Sequence, residues 1–142
     1  MSKIEVNTVD VQCGSTLTLG SSGKTVQLAT GASQSGFGRT GTVDWQTGSI
    51  KTANFTAANG EGYFCNTTSG AFTMTLPAGS AGAIVSVQDY NNTFDTNNLT
   101  IDPNGSEKIN GGDAGIAATL STEGQGITLV YVDSTVGWRS IH

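Results

Sequence analysis

Gly70-Ala71-Phe72-Thr73-Met74-Thr75-Leu76-Pro77 leads into Gly82-Ala83-Ile84-Val85-Ser86-Val87-Gln88-Asp89, and the reading of this stretch decides the fold class. In an extended chain, successive side chains point to opposite faces, so Phe72, Met74 and Leu76 share one face while Thr73 and Thr75 share the other. Pro77, which cannot donate to a ladder, ends the strand. The second segment is apolar on both faces at its centre, which predicts an interior strand. Neither segment has the 3.6-residue spacing of a buried helix face.

The same pattern extends in both directions. Downstream, Leu99-Thr100-Ile101 precedes the turn Asp102-Pro103-Asn104-Gly105, and Glu107-Lys108-Ile109 precedes Asn110-Gly111-Gly112. Gly126-Ile127-Thr128-Leu129-Val130-Tyr131-Val132 is the strongest strand signal, and Val136 to Ile141 supplies a last one. Upstream, Ala53 to Thr56 and Gly62 to Cys65 flank an Asn59-Gly60 turn. Turns recur about every 8–12 residues, the spacing of a sandwich or small barrel. The segment Gly112 to Leu120 is the best helix candidate, and its two glycines count against it.

The first 35 residues predict three further short strands, with Ile4 and Val6, Leu17 and Leu19, and Val26 and Leu28 as their apolar positions. Strands this short cannot close a core alone, so their faces need other chains or other parts of this one. Residues 32–41 have no period and predict a linker or arm. The expected architecture is all-β: a β extension and linker over 1–50, then a C-terminal antiparallel β-sandwich or small barrel knob over 51–142.

Composition agrees. The 142 residues carry a net charge of −5, only 12% are charged, and Gly, Ser, Thr and Asn supply nearly half of the chain. Thr fits a pleated surface, while Gly and Asn accept the positive φ that tight turns demand. The acidic balance and six scattered basic residues argue against a nucleic-acid surface. No segment is long and apolar enough for a membrane helix, and the polar N-terminus lacks a signal-peptide core, so synthesis in a cytoplasm is expected.

Catalytic signals are weak. The lone histidine is His142, the last residue of the sequence, where an imidazole is poorly held. Acid pairs such as Asp89 with Asp95, or Asp102 with Glu107, sit in turns where carboxylates cap local backbone. Asp95-Thr96-Asn97-Asn98 opens like a calcium loop but lacks the glycine and glutamate that would complete it. Cys13 and Cys65 have no metal-ligand spacing and read as buried free thiols. No cofactor, metal or catalytic residue is therefore expected. Binding is the better prospect: Trp45, Tyr63, Phe64, Tyr90, Phe94 and Trp138 could present flat faces to a glycan. The polar loop Tyr90-Asn91-Asn92-Thr93-Phe94 is the leading candidate, with Tyr90, Asn91, Asn92 and Phe94 as its contacts.

From Gly70 onward the sequence resembles a module of phage tail-fibre and related virion proteins. The resemblance runs through Phe72–Pro77, Gly82–Asp89, Asn98–Ile101, Gly105–Gly111, Leu129–Val132 and Gly137-Trp138. The upstream stretches Gly36–Trp45 and Gly60–Cys65 look like versions from phages of marine bacteria. What this resemblance implies is a virion structural protein, usually a homotrimer; the weak catalytic signals add the expectation that it is not an enzyme. Residues 1–50 would then serve trimerisation and attachment to other virion proteins, and the knob would be exposed to a host cell-surface glycan or protein. A capsid decoration protein or head fibre is the alternative it leaves open.

Overall fold

The computed structural model describes residues 42–141, together with Val9, Gly14, Thr18, residues 22–27 and Thr30. The chain divides into two compact units, Met1–Gly38 and Arg39–His142. In the first unit, Ser22 and Gly23 form a turn and residues 24–27 carry no strand, with Val26 exposed. Ile4, Val6, Leu17, Leu19 and Leu28 lie outside the described residues.

The second unit is all-β, with nine strands and no helix among the described residues. They are β1 (Asp44–Trp45), β2 (Phe55–Thr56), β3 (Glu61–Cys65), β4 (Phe72–Thr75), β5 (Ile84–Asp89), β6 (Leu99–Asp102), β7 (Ala118–Leu120), β8 (Gly126–Asp133) and β9 (Gly137–Ile141). Five of them form a sheet in the order β1-β3-β5-β8-β9, and four form a second in the order β2-β4-β6-β7. Strand β1, which the sequence placed in the N-terminal extension, pairs with β3. The compact unit therefore starts at Arg39 and not at residue 51.

Strand direction departs from the expected antiparallel knob. From β1 to β6 the chain alternates between the two sheets, and each strand pairs in parallel with the one two places along. A parallel pair needs a crossover, usually a helix; here a strand of the opposite sheet provides it. The result is a short coil of three turns. Antiparallel pairing enters only where β8 joins β5, β9 joins β8 and β7 joins β6. The sheets are thus mixed, and they do not close into a barrel: among the described residues no end strand of one pairs with an end strand of the other.

The Asn59-Gly60 pair shows why a coil forms. It makes a corner between sheets, not a hairpin. Gly60 has φ of +87°, and its amide donates to the Ile84 carbonyl at 2.8 Å, while Asn59 Oδ1 accepts the Ile84 amide at 2.9 Å. The Asp44 amide in turn donates to the Gly60 carbonyl at 2.7 Å. The corner is stacked between the turns below and above it, which continues the parallel ladder around the bend.

A single core cluster takes residues from both sheets, including Tyr63, Cys65, Val85, Val87, Leu129 and Trp138 from the larger and Phe72, Met74, Leu99, Ile101 and Leu120 from the smaller. The alternation read in Phe72, Met74 and Leu76 is realised with all three buried. Trp138 is fully enclosed; its indole N–H donates to Glu107 Oε2 at 2.9 Å, and Glu107 Oε1 accepts the Gly79 amide at 2.7 Å. Gly79 has to be glycine because a Cβ there would overlap the Tyr131 ring.

Candidate binding surface

The outer face of the five-stranded sheet carries the most distinctive chemistry of the described residues. Register places Trp45, Gly62, Ser86, Thr128 and Ile141 in one row across its five strands. Phe64, Gln88 and Gly126 make the next row. Small residues in the middle and large ones at the ends give a shallow trough.

Two glycines flatten that face. A Cβ on Gly62 would sit 2.8 Å from Trp45 Cδ2 and 2.7 Å from Val43 Cγ2, so the indole lies over β3 only because residue 62 has no side chain. A Cβ on Gly126 would overlap Gln88 Oε1, so the Gln88 amide lies across β8 for the same reason. Its Nε2 donates to the Gly124 carbonyl at 2.9 Å, which fixes its direction. Beneath, the Ser86 and Thr128 hydroxyls share a hydrogen bond of 2.7 Å.

Three aromatic rings continue the surface. Trp45 and Phe64 have ring centroids 5.0 Å apart with planes tilted by 36°; Phe64 and Tyr90 are 6.5 Å apart and edge-on at 75°. Such separations lie within the favourable range for aromatic pairs. Trp45 is 40% exposed and Tyr90 53%. A hollow of about 280 Å³ opens beside Trp45, between Gln88, Gly126, Thr128 and Ile141. Another of about 370 Å³ lies against Phe64 and Tyr90, closed by Thr47, Ile50 and Asp89.

The loop after β5 is held by Asp89. Its carboxylate accepts the amides of Asn91 (3.3 Å), Phe94 (3.0 Å) and Gly124 (3.1 Å). The Thr67 and Thr93 hydroxyls pair at 2.8 Å, and Asn91 Nδ2 donates to Thr68 Oγ1 at 3.0 Å. Tyr90, Asn91 and Asn92 are exposed on this loop, and Asn92 takes φ of +56°. Phe94 is different: it is fully buried in the core cluster, so it anchors the loop and is removed from the expected set of ligand contacts.

Of the six aromatics singled out in the sequence, the structure brings together Trp45, Phe64 and Tyr90, while Tyr63, Phe94 and Trp138 go inside. The alternation in Gly62-Tyr63-Phe64-Cys65 already places Tyr63 and Phe64 on opposite faces. Trp45 was separated from them in the sequence by its assignment to the extension, and Gln88 carried no signal of its own.

The reactive groups here are protected ones. Burial, with the neighbouring Asp89 charge adding to it and Lys51 opposing it, pushes the Cys65 thiol up to about 12. Burial and the hydrogen bond to Glu61 raise the Tyr63 phenol to about 12; its hydroxyl donates to Glu61 Oε2 at 2.6 Å and accepts the Ala58 amide at 2.7 Å. A neutral buried thiol is a poor nucleophile. Among the described residues no group of three or more His, Cys, Asp or Glu side chains is arranged to hold a metal ion, and no helix is long and apolar enough to cross a membrane. No family model matches the sequence, and no curated protein matches it.

Proposed function

We propose that this chain is a non-enzymatic structural component of a phage virion, a homotrimeric tail fibre or fibre-like appendage assembled in the host cytoplasm. Its N-terminal part attaches to other virion proteins, and the sandwich-like β unit is the exposed knob. The observation that carries the adhesive role is the aromatic row Trp45–Phe64–Tyr90 on a sheet face where Gly62 and Gly126 leave room for the Trp45 and Gln88 side chains. Rigid aromatic surfaces lose little side-chain entropy on contact and bury much area, which suits recognition by weak repeated contacts. The strand-and-turn resemblance to fibre modules supports the virion setting.

Two measurements test this reading. Antibody labelling of intact particles, viewed by electron microscopy, should mark the tail or another projecting appendage. Sedimentation of the full chain should give a trimer; a stable folded monomer at micromolar concentration sinks the fibre reading. Labelling spread evenly over the head instead would favour the alternative role, a decoration protein or head fibre stabilising the shell.

A further inference from the structure

We propose that the outer face of the five-stranded sheet binds a neutral polysaccharide, with pyranose rings stacked on Trp45 and Tyr90. This rests on the adhesive reading and names the ligand class of the same surface. An aromatic ring has a negative π face, and one side of a pyranose presents weakly positive C–H groups. Trp45 and Tyr90, at the two ends of the aromatic row, are both open to solvent and flank Phe64. An extended saccharide laid along the row can use both.

The polar groups beside the rings match sugar hydroxyls. Gln88 Nε2 is committed to the Gly124 carbonyl and Asn91 Nδ2 to Thr68 Oγ1. Their carbonyl oxygens, Oε1 and Oδ1, accept no hydrogen bond from the described residues and remain as acceptors for hydroxyl donors. Gly126 keeps the Gln88 oxygen in place on the face. Ligand sites combine apolar contact with a few oriented polar groups in this manner.

Charge narrows the class. Among the described residues, Asp89 is the single charged one lining either hollow, and its oxygens are occupied by three backbone amides. Arg139, one row along on β9, donates to the Asn110 carbonyl at 3.1 Å. A uronate, sulfate or phosphate would find no cation among the described residues lining the hollows, and the chain's net charge of −5 would repel it. A neutral sugar meets neither obstacle.

The test is calorimetric titration of the full chain with cellohexaose, maltohexaose, laminarihexaose and, as the charged comparison, an oligogalacturonate of equal length. At least one neutral oligosaccharide should bind and the oligogalacturonate should not. Trp45→Ala and Tyr90→Ala should each weaken binding by about ten-fold, Gln88→Ala should weaken it measurably, and Thr119→Ala on the other sheet should leave it unchanged. Tyr90, on an exposed loop, keeps the test intact if the Trp45 variant misfolds. Failure of every neutral sugar, equal or tighter binding of the oligogalacturonate, or full affinity in Tyr90→Ala overturns the inference. Particle labelling separates the two readings: a virion-borne chain without sugar affinity refutes this inference alone, and sugar affinity in a chain absent from particles refutes the virion role alone.

Discussion

Asp89 shows how much one buried acid can organise. Its two oxygens accept amides from Asn91 and Phe94 in its own loop and from Gly124 just before β8, across 35 positions of chain. Removing them strands donors, of which the Phe94 amide is buried, at a cost of about 1–3 kcal/mol. Asp89→Ala should therefore lower the urea midpoint and abolish hydrogen-exchange protection at the Phe94 and Gly124 amides first. Unchanged protection there would show that Phe94 packing holds the loop without the acid. Tyr63 and Cys65 make a second prediction. In the unfolded chain they ionise near their ordinary values of 10.0 and 9.0, while the folded protein holds both protons to about 12. Above pH 9 the unfolded state thus binds fewer protons, so stability is full below that pH and falls as pH rises toward 12. Urea midpoints measured from pH 8 to 11 should decline, and Cys65→Ala should flatten the first part of the decline. An equally steep profile in that variant would remove the thiol from the account.

The strands were largely legible in the sequence, whereas their directions were not. Phe72, Met74 and Leu76 all point into the core as their alternation requires, and Ile84 to Asp89 is an interior strand with β3 and β8 on either side. Period-2 alternation reports which face is buried and says nothing about whether the neighbour runs parallel or antiparallel. Asn59-Gly60 has the composition of a tight hairpin, and only the long-range bonds of Gly60 and Asn59 to Ile84 turn it into a corner between sheets. The short β7 was hidden in a Gly-rich stretch, while Glu107 to Ile109 forms no strand and only an isolated bridge from Ile109 to Trp138. The binding face was legible in its residue types but not in its assembly, because Trp45 reaches Phe64 through the parallel pairing of β1 with β3. That pairing is open to test. Gly62→Ala places a methyl group against the Trp45 indole and should displace it, at about 1–3 kcal/mol for overpacking. Tryptophan emission should shift to the red as Trp45 enters water, since Trp138 stays enclosed. An unshifted spectrum would mean that the indole does not rest on Gly62.

At the scale of the whole molecule, the two compact units carry different tasks in the proposed appendage. Among the described residues, the buried members of the core cluster lie between Ala57 and Trp138, all within the Arg39–His142 unit. Its lower edges are short: β1 and β2 offer two residues each, which limits edge-to-edge pairing with other copies. Trimerisation in the proposed fibre is accordingly assigned to the N-terminal segment, whose short alternating runs call for outside partners. A chain cut to residues 39–142 should fold cooperatively and sediment as a monomer, with a melting temperature independent of concentration. The full chain should sediment as a trimer and melt at a temperature that rises with concentration, as mass action requires of a folded state held by its partners. Three chains joined at their N-termini would present three copies of the aromatic face, and multivalency converts contacts of millimolar strength into durable attachment. A truncated chain that still forms trimers would move the interface into the β unit; one that fails to fold would show that the core between Ala57 and Trp138 depends on the preceding residues.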